Sequence, residues 1–230
     1  MSFQSHAYDR CRAFIDSNFV EPQPREKRIP LTLTLSRQSY SLSHAIAEEL
    51  IKLLSEDKKL GQQEWALFDR NLVHKILEDH NLPKGLAKYM PEDRDHEFSG
   101  VINEILGVHP SLWTLFHYTC DTIRRLAKVG NVILIGRGAH IITRGMPHVL
   151  RVRIIAPFEQ RVQRAAQHLE ISSAEAGKRI RQDDQARAAF VRSHFDQPVD
   201  DPYAYDMVLN TGDIDVPTAA RILLAALKSR

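Results

Sequence analysis

Residues 32–44 read TLTLSRQSYSLSH, a β-branched and leucine-rich segment that runs straight into a serine-rich turn. The turn feeds SHAIAEELIKLLSEDKKL, which places Ile46, Leu50, Ile51 and Leu54 on one helical stripe. Strand, turn and helix in this order bring the unpaired N–H groups of a helix start to the C-terminal end of a strand, where anions bind. A turn built to cradle phosphate uses glycines, because the chain must reach positive φ and bring successive N–H groups against the oxygens. This turn contains neither glycine nor lysine.

The strand-then-helix alternation continues along the chain. WALFDR (65–70) is a short apolar run with Asp69 at its C-terminal end, and NLVHKILEDH (71–80) returns to helical periodicity. Residues 101–130 read as mostly helical, with an interruption at Gly107–Pro110 and Gly130 as a C-cap. NVILIG (131–136) is the most hydrophobic strand of the chain and leads into RGAHIITRG. VLRVRIIAP (149–157) is the next strand, with Pro157 in the first position of a helix. In residues 171–195 Ser172 and Glu175 have capping-box spacing, and DQPVDDPYAY (196–205) reads as irregular loop. DMVLNT (206–211) is a last strand and VPTAARILLAALK (216–228) a last amphipathic helix. The pattern predicts an α/β fold with a mainly parallel sheet of about five strands, right-handed crossovers and helices on both faces. Ligands then bind beyond the C-terminal strand ends, where Ser36, Asp69, Gly136 and Asn210 fall.

The 230 residues, 43% of them hydrophobic, suffice for one sizeable core. We expect an N-terminal helical extension over 1–28, with the connector VEPQPREKR, and one domain over 29–230 that includes a helical lid near 157–200. Lys and Arg number 31 against 29 Asp and Glu, so the overall charge calls for neither nucleic acid nor an anionic membrane. Cys11 and Cys120 form no CxxC pair, there is no signal-peptide core and no apolar run of membrane-spanning length, and the expected location is cytoplasmic. Eleven histidines show no HExxH or paired metal-ligand spacing, so no protein metal site is expected; His117 and Cys120 read as core or its edge. There is no GxSxG elbow, and GRGAHIITRG does not match GxGxxG. Tyr203, Tyr205 and Phe190 lack interleaved basic residues, which weakens a nucleic-acid reading.

Six segments in order, LTLSRQSYSLSHAIAEEL, FDRNLV, VILIGRGAHII, RVRIIAPFEQRVQR, DDQARAAFVRSHF and YDMVLNT, resemble the cytidylate-kinase-like family of P-loop nucleoside monophosphate kinases. The resemblance implies a P-loop kinase-like sheet with a lid, ATP and Mg²⁺ as cofactors, and phosphoryl transfer to a CMP-like monophosphate or another small acceptor. It is compatible with a homo-oligomer. The family-like loop would have glycines at about Tyr40, Leu42 and Ser43, and His44 stands near the position of the metal-binding hydroxyl. Without those glycines activity should be weak, and the alternative is a catalytically inactive protein that binds a nucleotide or phosphorylated metabolite in a regulatory role.

Candidate residues follow, each beside a plainer explanation. Ser36, Arg37, Ser39, Ser41, Ser43 and His44 supply hydroxyls, a guanidinium and an imidazole for phosphate, or the serines merely cap a helix. By the resemblance Arg137 in GRG clamps the acceptor monophosphate; otherwise GRG is a tight turn with an exposed arginine. Asp69 holds a metal-bound water or a ribose hydroxyl, or caps the helix beginning at Asn71. The segment 151–195 carries nine Lys or Arg against five Asp or Glu, and by the resemblance Arg181, Asp184 and Arg187 form the lid's contact with the triphosphate. Arg161 and Arg164 share a face, as do Asp184 and Arg187; surface ion pairing on a solvated helix is the plainer account.

Overall fold

The structure is a computed structural model that describes residues 31–69 and 112–230. The helices expected over 1–28 and 71–80 lie outside the described residues. The described chain forms β1 (Thr32–Arg37), α1 (Ser43–Glu56), β2 (Ala66–Phe68), α2 (Leu112–Val129), β3 (Val132–Ile135), α3 (Ala139–Ile142), β4 (Val149–Ile155), α4 (Phe158–Leu169), α5 (Ser173–Phe195), β5 (Met207–Asn210) and α6 (Val216–Lys228). A 3₁₀ turn at Pro202–Ala204 interrupts the segment expected to be wholly irregular. Five strands make one sheet in the order β2-β3-β1-β4-β5, and every pairing is parallel.

A strand inside a parallel sheet is covered on both faces, and β1 is buried at all six positions. Its alternation divides the two faces. Leu33 and Leu35 join Ile133, Val152 and Ile154 beneath α1 and α6, with Ile46, Leu50, Leu54 and Leu223 fully buried among them. Thr32 and Thr34 turn the other way, and Thr32 Oγ1 donates to the carbonyl of Ala127 in α2 at 3.1 Å. That second face is filled by Phe68, Val132, Leu134, Ile123 and Leu126 under α2 and α3. Each large aliphatic buried this way contributes about 1.5–3 kcal/mol, so the two layers account for why the apolar periods in the sequence fold as they do. Cys120 is a free, buried thiol in this layer, whereas His117 is exposed rather than at the core edge. Gly130 ends α2 at φ 75, with its N–H on the carbonyl of Leu126.

Helix α1 leaves β1 toward one face and α3 leaves β3 toward the other, so the connections diverge and a crevice opens at the C-terminal edge between these neighbours. Helices α4 and α5 stand over that edge as a hairpin, joined through Ala165, Ala176 and Ile180 with Phe158, Val162 and Tyr40 packed against them. Pro157 is the N-cap of α4, one position earlier than expected. Ser172 caps α5, its hydroxyl accepting the N–H of Glu175 at 3.2 Å as the capping-box spacing predicts. Among the described residues no helix is long and apolar enough to cross a membrane.

Candidate active site

The turn between β1 and α1 keeps a left-handed course without glycine. Tyr40 has φ 56 and Leu42 φ 65, while Ser43 is already the first residue of α1. Two of the three positions expected to need glycine therefore adopt the strained conformation, and the third does not. Leu42 is the N-cap and α1 has no side-chain cap. The expectation that the serines cap the helix is thus overturned, because each hydroxyl with a described bond is directed elsewhere. Ser41 Oγ donates to the carbonyl of Gln38 at 2.8 Å, Ser39 Oγ accepts from Arg187, and Ser36 Oγ faces Arg153 and Tyr205.

The hairpin α4–α5 holds this turn from above. Asp184 Oδ1 accepts the backbone N–H of Ser39 at 2.8 Å, so a carboxylate from the protein stands against the turn as an anion would. The same carboxylate pairs with Arg161 Nη1 at 2.6 Å and Arg187 Nη1 at 3.2 Å. Arg161, buried, also donates to the carbonyls of Ala156 and Ser39. Arg164 reaches the carbonyl of Tyr40 at 3.4 Å and that of Thr211 at 2.9 Å, and Thr211 Oγ1 returns to the carbonyl of Ser41 at 3.1 Å. The shared face of Arg161 and Arg164 therefore points at the turn and not at solvent.

His44 and Arg37 meet at Asp69. Asp69 Oδ2 pairs with His44 Nε2, and its Oδ1 lies 3.9 Å from Arg37 Nη2. Asp69 thus reaches across the edge of β3 to the turn; a helix it could cap at Asn71 lies outside the described residues. Arg137 is buried, not exposed, and sits at φ 55 between Gly136 and Gly138, both also at positive φ. A Cβ on Gly138 would meet the Phe195 ring at 2.2 Å, so this turn needs glycine for space as well as for conformation. Arg181 lies over the Phe158 ring at 4.8 Å, within the hairpin.

Two cavities flank the turn. The smaller, about 280 Å³, is lined by Ser39, Tyr40, Ser43, His44, Arg179 and Asp183 together with Arg37, Gln38 and Arg187. The larger, about 500 Å³, shares Arg37, Gln38 and Arg187 and adds Arg153, Asp184, Arg192, Val199 and Asp200. Neither wall includes Arg137 or Arg181. The profile of the cytidylate kinase-like family matches residues 32–213, which cover the sheet, the turn and the hairpin. The chain belongs to that family. No curated protein sequence matches it. Among solved structures, an uncharacterized protein from Eubacterium ventriosum superposes with a TM-score of 0.63 at 15% identity, covering 87% of this chain and 99% of its own. Shikimate kinase from Bacteroides thetaiotaomicron superposes with a TM-score of 0.50 at 12% identity, covering 86% of this chain and 98% of its own. These likenesses show the P-loop kinase fold.

For a cytidylate kinase-like protein, the residues not anticipated from sequence are as informative as those that were. In the wall of the larger cavity, Arg153 Nη1 donates to Ser36 Oγ at 3.0 Å with its guanidinium 5.8 Å from the Tyr205 ring centroid. Tyr205 Oη lies 2.7 Å from the carbonyl of Val199, 3.1 Å from Ser36 Oγ and 3.1 Å from His140 Nε2. Burial pushes the Tyr205 phenol above its ordinary range, so it stays a donor. Burial first, then the positive charge of Arg153, Arg151 and Arg144, pushes His140 down to about 3 and keeps the imidazole neutral. Arg153 had a sequence signal, a charge inside a strand otherwise apolar except for Arg151, which instead pairs with Asp206 at 2.8 Å. Tyr205 had none, since its partners in β1 and α3 lie 169 and 65 residues away.

Proposed function

We propose that the protein transfers the γ-phosphoryl group of ATP to a CMP-like nucleoside monophosphate, with weak turnover. The observation that carries this reading is the pair of adjoining cavities with Arg37, Gln38 and Arg187 as a common wall. A two-substrate phosphotransfer asks a protein chiefly to place donor and acceptor phosphates on either side of fixed cations and to neutralise the charge that moves between them. The smaller cavity, against the turn and the start of α1, suits the donor phosphates. The larger lies within the usual size range for a small-molecule ligand and suits the acceptor. Arg37 and Arg187 would face the phosphoryl group from both sides.

Magnesium takes oxygen ligands and arrives with nucleotide phosphates, so it needs few donors from the protein. Ser43 and Asp183 are the hydroxyl and carboxylate that line the smaller cavity and would hold it there, where it would neutralise charge on the phosphates. Among the described residues no group of three or more His, Cys, Asp or Glu could hold a metal by itself. The free thiol of Cys120 fits a reducing, cytoplasmic setting.

Weak turnover follows from the turn. Its Ser39 N–H is satisfied by Asp184, and the Tyr40 side chain packs into the hairpin, so a triphosphate must displace internal contacts to bind. The same observation favours a second reading, a catalytically inactive protein that binds a nucleotide or phosphorylated metabolite in a regulatory role. A coupled assay of ADP release, with ATP and magnesium against the common nucleoside monophosphates, separates them when run beside calorimetry. Slow release with one pyrimidine monophosphate, abolished in Arg187→Ala, supports the kinase; saturable binding without release supports the regulatory reading. Absence of binding by any nucleotide overturns the kinase reading, and absence of binding by inorganic phosphate and pyrophosphate as well overturns the regulatory one.

A further inference from the structure

The larger cavity contains an imbalance of charge. Arg37 lies 3.9 Å from Asp69, Arg187 3.2 Å from Asp184, and Arg192 3.7 Å from Asp196. Arg153, the fourth arginine of the wall, is 7% exposed, and among the described residues no carboxylate lies within ion-pair distance of its guanidinium. Its partners are a hydroxyl and an aromatic face, Ser36 Oγ and the Tyr205 ring. An arginine keeps its charge at any ordinary pH, and a buried charge without a counter-ion is costly. Its strand position follows from the register, since β4 pairs Arg153 with Ser36 near the C-terminal end of the central β1.

We propose that Arg153 is the anchor for the anionic group of the ligand in the larger cavity, receiving two oxygens of a phosphate on its planar fork. The inference deepens the kinase reading by assigning the acceptor's phosphate to Arg153 in that cavity, whose wall Arg187 and Arg192 share. The surroundings suit the role. Ser36 fixes one guanidinium nitrogen, Tyr205 covers one face, and neutral His140 adds no competing positive charge. Tyr205 also bonds to the carbonyl of Val199, on the segment that returns from α5 and forms part of the cavity wall. An anion drawn onto Arg153 would therefore rest against residues that fix both the sheet edge and the end of the hairpin.

The experiment measures binding of inorganic phosphate, CMP and cytidine by calorimetry to the wild type, Arg153→Gln and Arg153→Lys. Expected is a loss of about tenfold or more in phosphate and CMP affinity for Arg153→Gln and a smaller loss for Arg153→Lys, with cytidine unchanged, as removal of a charge-assisted pair implies. A folded Arg153→Gln variant that binds phosphate as the wild type does overturns the proposal. Should that variant fail to fold, the Arg153 Nε–H resonance of the wild type, assigned by its loss in Arg153→Lys, decides: it shifts on phosphate titration if the proposal holds, and a fixed resonance at saturation overturns it. Phosphate binding that depends on Arg153, without any binding of CMP, would keep the anchor and refute the nucleotide acceptor instead.

Discussion

Tyr40 and Leu42 carry the strain that separates this turn from a glycine-built one. A non-glycine residue held left-handed costs about 1–2 kcal/mol. The sequence placed the difficulty at three positions; the backbone shows two, because Ser43 begins the helix. The informative variant is therefore Tyr40→Gly with Leu42→Gly, leaving Ser43 alone. It should bind ATP more tightly than the parent, as read by calorimetry, while melting lower because Tyr40 leaves the hairpin cluster and Leu42 the core margin. Equal or weaker ATP affinity would show that the turn is not the obstacle. At His140 the folded imidazole titrates near 3, below its ordinary 6.5. A depressed folded value means that the unfolded chain takes up the proton first, so stability is complete above pH 6.5 and falls as pH drops toward 3. The slope is about 1.4 kcal/mol per pH unit for one such group. His140→Gln should flatten the pH dependence of the urea midpoint between pH 6.5 and 4 relative to the wild type, and parallel curves would show that the imidazole titrates normally.

At the scale of elements, the strands and helices were legible because their signals are local. The apolar periods of β1 and α1, the capping pair Ser172 and Glu175, and Gly130 at the end of α2 are each decided within a few residues. The site was legible only in part. Arg37, Asp184 and Arg187, all singled out in the sequence, line one cavity; Arg181 faces Phe158 instead, since helical spacing alone does not say which side of a two-helix hairpin meets the turn, and Arg137, buried in the turn after β3, lines neither cavity. Asp184 is where hairpin and turn are joined, one carboxylate answering an N–H of the turn and two guanidinium groups. Asp184→Asn should lower stability by about 1–3 kcal/mol, because it leaves Arg161, itself buried, without its charge partner. It should also speed hydrogen exchange at the Ser39 amide. If the carboxylate takes the place of a phosphate, inorganic pyrophosphate will raise the melting temperature of the variant more than that of the wild type. An equal rise in both would assign Asp184 a purely structural part.

For the whole molecule, the parallel sheet with helices on both faces could be inferred from the alternation of elements, yet nothing in the sequence indicated that the turn at 38–41 is tied down by residues far beyond it. Ser39 bonds to Asp184 and Arg187 across 145 and 148 positions, Tyr40 to Arg164 across 124, and Ser41 to Thr211 across 170. Such contacts give this small segment a high contact order, and closing chains of that length comes late in folding. During synthesis from the N-terminus, β1 must wait for β4 to pair on its second side, and the turn must wait longer still, until Thr211 has emerged. The turn that borders both cavities is thus expected to acquire its form after the strand that leads into it. In pulse-labelled refolding the Ser39 amide should become protected after those of Leu33 and Leu35, only six and four residues away; simultaneous protection would mean that the turn folds locally with its strand. A molecule folding in that order passes through an interval in which β1 is paired with β3 and β4 and the turn is not yet tied down. A phosphate-bearing ligand that binds at the turn, as proposed above, would favour the tied form and so assist the completion of its own site.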